Sequence, residues 1–119
     1  MTDVASTGQN TKTYTLNSAA STNAAVVKGA AGNLHNVHVS NQHATQTYFL
    51  KFFDKATAPT VGTDRPVVIV PVVALNQTTV QLGGLRFSNG ISICIVTTAP
   101  DAGSTGCGVN EVKVAATYA

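Results

Sequence analysis

Charge is what this chain has least of. Only 10% of its 119 residues are Asp, Glu, Lys or Arg, against about 25% in ordinary soluble domains. A surface this poor in charge has to be wetted by Thr, Asn, Gln, Ser and Ala, side chains that cost little to desolvate against a neighbour. The net charge is +2, from seven basic and five acidic residues. The basic ones (Lys12, Lys28, Lys51, Lys55, Arg65, Arg86 and Lys113) stand singly along the chain. Nucleic-acid binding needs them clustered, so no nucleic-acid partner is expected.

Other absences narrow the class further. No segment shows apolar residues at spacings of three and four over a dozen positions, which excludes a long amphipathic helix. The longest apolar run, Val67 to Leu75, is broken by Pro71 and is far short of a membrane span. The start, MTDVASTGQNTK, lacks the basic residues and apolar stretch of a secretory signal, so synthesis in a cytoplasm without standard export is expected. Tryptophan is absent and there are two cysteines. Cys94 sits in the apolar run ISICIV and Cys107 in the loop GSTGCGVN. A hairpin centred near Gly103 would set Cys94 opposite Val112, which disfavours a Cys94–Cys107 disulfide without closing the question. No further ligands at matching spacing accompany them, so neither zinc nor another cofactor is expected.

What is present is a series of short β-type runs. Lys12 to Leu16, Ala24 to Lys28, Leu34 to Asn41, Thr47 to Asp54, Val67 to Val73, Thr78 to Leu82, Ile91 to Thr98 and Glu111 to Tyr118 are rich in β-branched residues. Several alternate with period two, most clearly Ile91, Ile93 and Ile95, and Val112, Val114, Ala116 and Tyr118. Turn-forming stretches such as AAGN, SNQHATQ, ATAPTVGTD and SNG separate them. One helical turn is expected near Gly83 to Phe87, and Gly83 and Gly84 read as a bend between strands. Eight short strands in one domain-sized chain predict an all-β, two-sheet antiparallel sandwich of jelly-roll-like type, residues 12–119, preceded by a flexible arm, residues 1–11. An immunoglobulin-like sandwich is the rival, though it would usually bury a Trp.

The run around Val67 to Val73 is apolar on both faces. It is either central and covered twice, or an edge that docks on another subunit. Pro66 and Pro71 cannot donate ladder hydrogen bonds and so favour an edge or a bulge. An open apolar edge invites association, which makes Val67, Val68, Ile69 and Val70 candidate interface residues.

His35 and His38 are the other candidates for an interface. They are an odd number of positions apart, so on a regular strand they face opposite ways. With His43 in the following turn, a shared metal would need a bulge and a carboxylate from elsewhere; polar strand residues are the expectation. The carboxylates Asp3, Asp54, Asp64, Asp101 and Glu111 form no pair on one strand face. The loop between Asp54 and Arg65 reads as a structural crossover shaped by Pro59 and Gly62, with the Asp54–Lys55 and Asp64–Arg65 pairs meeting across its mouth and Asp54 and Arg65 fastening its ends. Phe49, Phe52 and Phe53 are expected to supply much of the buried apolar area. With no G-x-S-x-G elbow and no phosphate loop, neither catalytic residues nor an enzyme activity is expected.

Residues 33 to 119 carry a recognisable plan. It comprises YFLKFFDKATAPTVGTDRP, then GLRFSNGISI, then VKVAATY. The plan resembles that of small structural proteins encoded by tailed bacteriophages. The resemblance implies a virion component, with capsid decoration (cement) as its first reading. It implies a position on the capsid surface, the major capsid protein as a partner, and self-association, a homotrimer by analogy with other decoration proteins. A tail, neck or fibre-associated part of the virion is the alternative. A host glycan-binding module is a further one, poorly served by a chain with no Trp and three Tyr.

Overall fold

A computed structural model describes residues 11–119. The expected arm therefore lies outside the described residues except for Thr11, which is exposed and precedes the first strand. Eight strands follow in order: β1 (Lys12–Asn17), β2 (Ala25–Lys28), β3 (Gly32–Asn41), β4 (Tyr48–Asp54), β5 (Val68–Val72), β6 (Gln77–Phe87), β7 (Ile91–Val96) and β8 (Val112–Tyr118). They build two four-stranded sheets, ordered β1-β8-β3-β6 and β2-β7-β4-β5.

The pairing explains the order. β1 pairs with β8, β2 with β7, β3 with β6 and β4 with β5, all antiparallel. The chain is in effect one long hairpin closed between β4 and β5, whose successive rungs fall alternately in the two sheets. The β3·β8 and β4·β7 pairings then join the rungs. This is the jelly-roll sandwich, a double Greek key.

The two inward faces form the core. One sheet contributes Leu34, Val37, Val39, Phe87, Val112, Val114 and Ala116; the other contributes Leu50, Phe52, Val70, Val72, Ile91, Ile93 and Ile95. Each fully buried large side chain stabilises the fold by about 1.5 to 3 kcal/mol relative to exposure. Period-two alternation puts these residues inside because a one-residue slip would turn the whole set outward.

Three expectations need correction. β7 and β8 lie in different sheets, so they are not a hairpin and Cys94 does not face Val112; Cys94 and Cys107 are both free thiols. No helical turn occurs near Gly83 to Phe87, because β6 runs through it. Gly83 and Gly84 mark a bulge inside that strand, where the register jumps from Leu34↔Leu85 to Asn36↔Gln81. Their φ angles of +64° and +85° are open to glycine at little cost.

Candidate interaction surfaces

The loop between β4 and β5 acts as a cover. All six residues of β7 are buried, although only Ile91, Ile93 and Ile95 face the sandwich core. Their outward neighbours Cys94 and Val96 join Phe53 of β4 in a second apolar cluster, against which Phe49 and Val61 pack. Val61 belongs to the β4–β5 loop. The β7–β8 loop lies beside it: a Cβ on Gly62 would come within 3.3 Å of the Ser104 side chain.

Charged groups pin this cover, and of the two expected pairs that were to meet across its mouth only Lys55 and Asp64 do so. Lys55 Nζ bonds Asp64 Oδ2 at 2.7 Å, closing the mouth of the loop, and Thr60 donates its N–H to the same oxygen. Lys55 and then the Thr60 amide hold the Asp64 carboxyl below its usual range. Asp54 does not meet Arg65. It accepts the Asn89 and Gly90 amides at 2.8 and 3.3 Å and so fixes the β6–β7 turn, and the Asn89 amide foremost lowers its pKa. Arg65 reaches Asp101 in the β7–β8 loop at 3.4 Å, with its side chain 87% exposed.

Lys51 is buried beneath the cover, and its Nζ donates to the Pro100 carbonyl at 2.7 Å. It is the cross-strand partner of Cys94, whose thiol burial pushes up to about 11 despite the opposing pull of Lys51. Burial likewise raises Cys107, which receives a contact from Asn23 Nδ2. Both sulfurs are therefore neutral thiols near pH 7, not activated nucleophiles.

The densest polar cluster was not singled out from sequence. Glu111 Oε1 accepts the Tyr48 hydroxyl and the Gly108 amide. His43 Nε2 lies 3.9 Å from the other Glu111 oxygen, and its ring meets Tyr48 edge-on. His43 Nδ1 accepts the amides of Thr45 and Gln46. Ser18 Oγ donates to Gly108 and accepts the Glu111 and Val112 amides. The Glu111 carboxyl is lowered chiefly by Tyr48, and the Tyr48 phenol is raised by burial and then by Glu111. These bonds tie three loops together at one end of the sandwich. Long sequence separations hid the cluster; the only local signal was the Gly108-to-Glu111 turn.

The predicted interface residues divide between two places. His38 lies on the outer face of the β1-β8-β3-β6 sheet, its Nδ1 at 2.8 Å from Thr79 Oγ1. The registers place it in a row Thr15–Ala115–His38–Thr79, between the rows Thr13–Thr117–Asn36–Gln81 and Asn17–Lys113–Ser40–Gln77. Lys113 is the single Lys, Arg, Asp or Glu among these twelve positions. His35 is the extra residue of the β3 bulge, beside Gly84. Among the described residues, no group of three or more His, Cys, Asp or Glu is placed to hold a metal ion.

Val67, Val68, Ile69 and Val70 lie at or on β5, the last strand of the other sheet. The expected run of four splits by parity. Val70 is buried in the core and the partly buried Val68 packs against it, so both are turned inward. Val67 and Ile69 are 51% and 38% exposed, and the row continues through Pro71 to Val73, 58% exposed. Pro71 pairs with Phe49 while its carbonyl accepts Thr78 Oγ1, so its main-chain polar groups point away from β4 and its missing N–H costs that ladder nothing.

No family model and no curated protein matches the chain. The solved structures include a similar one, the tobacco streak virus coat protein, at 12% identity over 92% of this chain and 83% of that one, with a TM-score of 0.39. The fold assignment stands on the strand order, not on that likeness. Jelly rolls serve as capsid, lectin and cupin domains, so the fold alone does not choose a function.

Proposed function

We propose that this chain is a structural subunit of a bacteriophage virion, a decoration (cement) protein that stabilises the capsid shell by contact alone. The observation that carries this reading is the outer face of the β1-β8-β3-β6 sheet. In the three rows around Ala115, four strands present Thr, Asn, Gln, Ser, Ala and His38 side chains, with Lys113 as the single Lys, Arg, Asp or Glu. Arg86 stands on the same face beyond the β6 bulge. An exposed sheet face normally carries mixed charges that keep it wet and alone. This one sheds water at little cost against another protein surface. The resemblance of residues 33–119 to tailed-phage structural proteins supports the virion, and summed weak contacts across a lattice supply the strength.

Ala115, exposed in the middle row, is the place to test it. Phage heads lacking the protein, mixed with purified chain and sedimented, are expected to capture it in many copies per head. Ala115→Glu is expected to abolish capture with an unchanged melting temperature. Capture of Ala115→Glu at the wild-type level would refute the assignment of this face. A few copies per particle, confined to one vertex, would instead favour a tail or neck part.

A further inference from the structure

We infer that the rim formed by β5 and β6 is a contact between copies of this chain. The inference rests on the reading of the protein as an assembly subunit, because a contact this small is useful only when repeated.

From Pro66 to Leu85 the sequence contains no Asp, Glu, Lys, Arg or His. In a chain with 10% charge, that gap means little by count alone. Its placement gives it meaning. β5 and β6 are the last strands of the two sheets, and the Thr78–Pro71 hydrogen bond joins them, so the gap covers one long side of the sandwich. Edge strands are where proteins usually set charges to prevent association. Here the exposed side chains are Val67, Ile69, Pro71, Val73 and Leu75, followed by the uncharged Asn76, Gln77, Thr79 and Gln81.

Leu75 adds an independent observation. It occupies the β5–β6 turn closed by Asn76 N–H to Val73 C=O at 3.1 Å, with φ at +60°. That position suits Gly or Asn, and a bulky residue there is strained. Its side chain is nevertheless 68% exposed, the most exposed large apolar group among the described residues. The strain is not repaid by core packing. Beside it opens a surface hollow of about 350 Å³, whose other lining residues (Ser40, Asn41, Gln42, Asn76 and Gln77) are likewise uncharged.

A second copy fits this rim better than other occupants. The surface offers nothing to attract or orient a charged ligand, and Pro71 withholds a donor that an added strand would need. An identical neutral row meets it without repulsion. An antiparallel arrangement keeps the two Arg65 side chains at opposite ends of the contact. The row falls well below the roughly 20 to 30 residues per side of a stable interface, so pairs in solution are weak and reversible.

Sedimentation velocity on the full chain, from micromolar to millimolar concentration, tests the contact. Wild type is expected to associate reversibly. Leu75→Gly is expected to weaken association by about tenfold while the thermal midpoint holds or rises, and Val73→Lys, at a position 58% exposed and outside the β4 ladder, to abolish association with no thermal change. A wild type that stays monomeric throughout, or variants that associate as it does, would overturn the inference. So would a lower midpoint for Leu75→Gly, which would show Leu75 serving the fold itself. The assay contains no particles, so its failure removes the rim contact and leaves the shell reading to its own experiment.

Discussion

The β2-β7-β4-β5 sheet has two apolar rows on its outer side, and the molecule treats them differently. Phe53, Cys94 and Val96 lie under two loops held down by Lys55–Asp64, Lys51–Pro100 and Arg65–Asp101. Along the adjacent edge strand, Val67, Ile69 and Val73 have no such cover. The long β4–β5 loop begins and ends beside both rows, yet seals only one. Loop length alone therefore does not explain the open row, and closing an apolar row takes anchored loops as well as hydrophobic side chains.

The contrast should appear most strongly in truncation. Phe53→Ala empties the covered row and is expected to cost about 3 to 5 kcal/mol, whereas Ile69→Ala on the open row should stay within about 0.5 kcal/mol. Chemical denaturation of both variants measures the difference. Equal costs would mean that Ile69 is packed by its own chain.

A smaller effect is expected at the anchor. Lys51→Met removes one of the two donors to the Pro100 carbonyl, the Gly103 amide remaining, and is expected to cost about 1 kcal/mol. The loosened cover should also expose Cys94, so a thiol reagent should label it faster than in wild type. If labelling does not change, Lys51 is not what holds the β7–β8 loop in place.

The smallest effect is a pH dependence. Asp54, Asp64 and Glu111 are all lowered in the folded state. Folded protein therefore binds protons less readily than unfolded chain, and the stability these groups confer is present above their unfolded values of about 4 and lost as pH falls below them. Tyr48 is raised, so its contribution is present below its unfolded value near 10 and declines as pH rises through and beyond it. Glu111→Gln should reduce both slopes in melting temperature against pH. Unaltered slopes would show that the Tyr48–Glu111 bond does not couple to folding.

Much of the architecture was legible in the residues. Alternation in Ile91–Ile93–Ile95 and Val112–Val114–Ala116 revealed strands and their inward faces, and Pro71 marked an edge. Pairing was not legible: β7 and β8 are joined by a loop that looks like a hairpin turn but crosses between sheets. Gly83 and Gly84 misled for a related reason, since a bulge and a chain reversal draw on the same residue types. The surface was half visible. A run such as VVIVPVV shows that both sides of a strand are apolar, but parity against β4 decides that Val70 is core and Ile69 surface. The Glu111 cluster was invisible because its members become neighbours only when three loops close one end of the sandwich.

The central claim, that a neutral sheet face joins this chain to a shell, is tested most directly by cryo-electron microscopy of intact particles at side-chain resolution. The account predicts repeated eight-stranded sandwiches on the capsid, with Thr15, Ala115, His38 and Thr79 against the shell subunits. Purified particles that contain none of the chain, or that hold it by the loop-covered face, would contradict it.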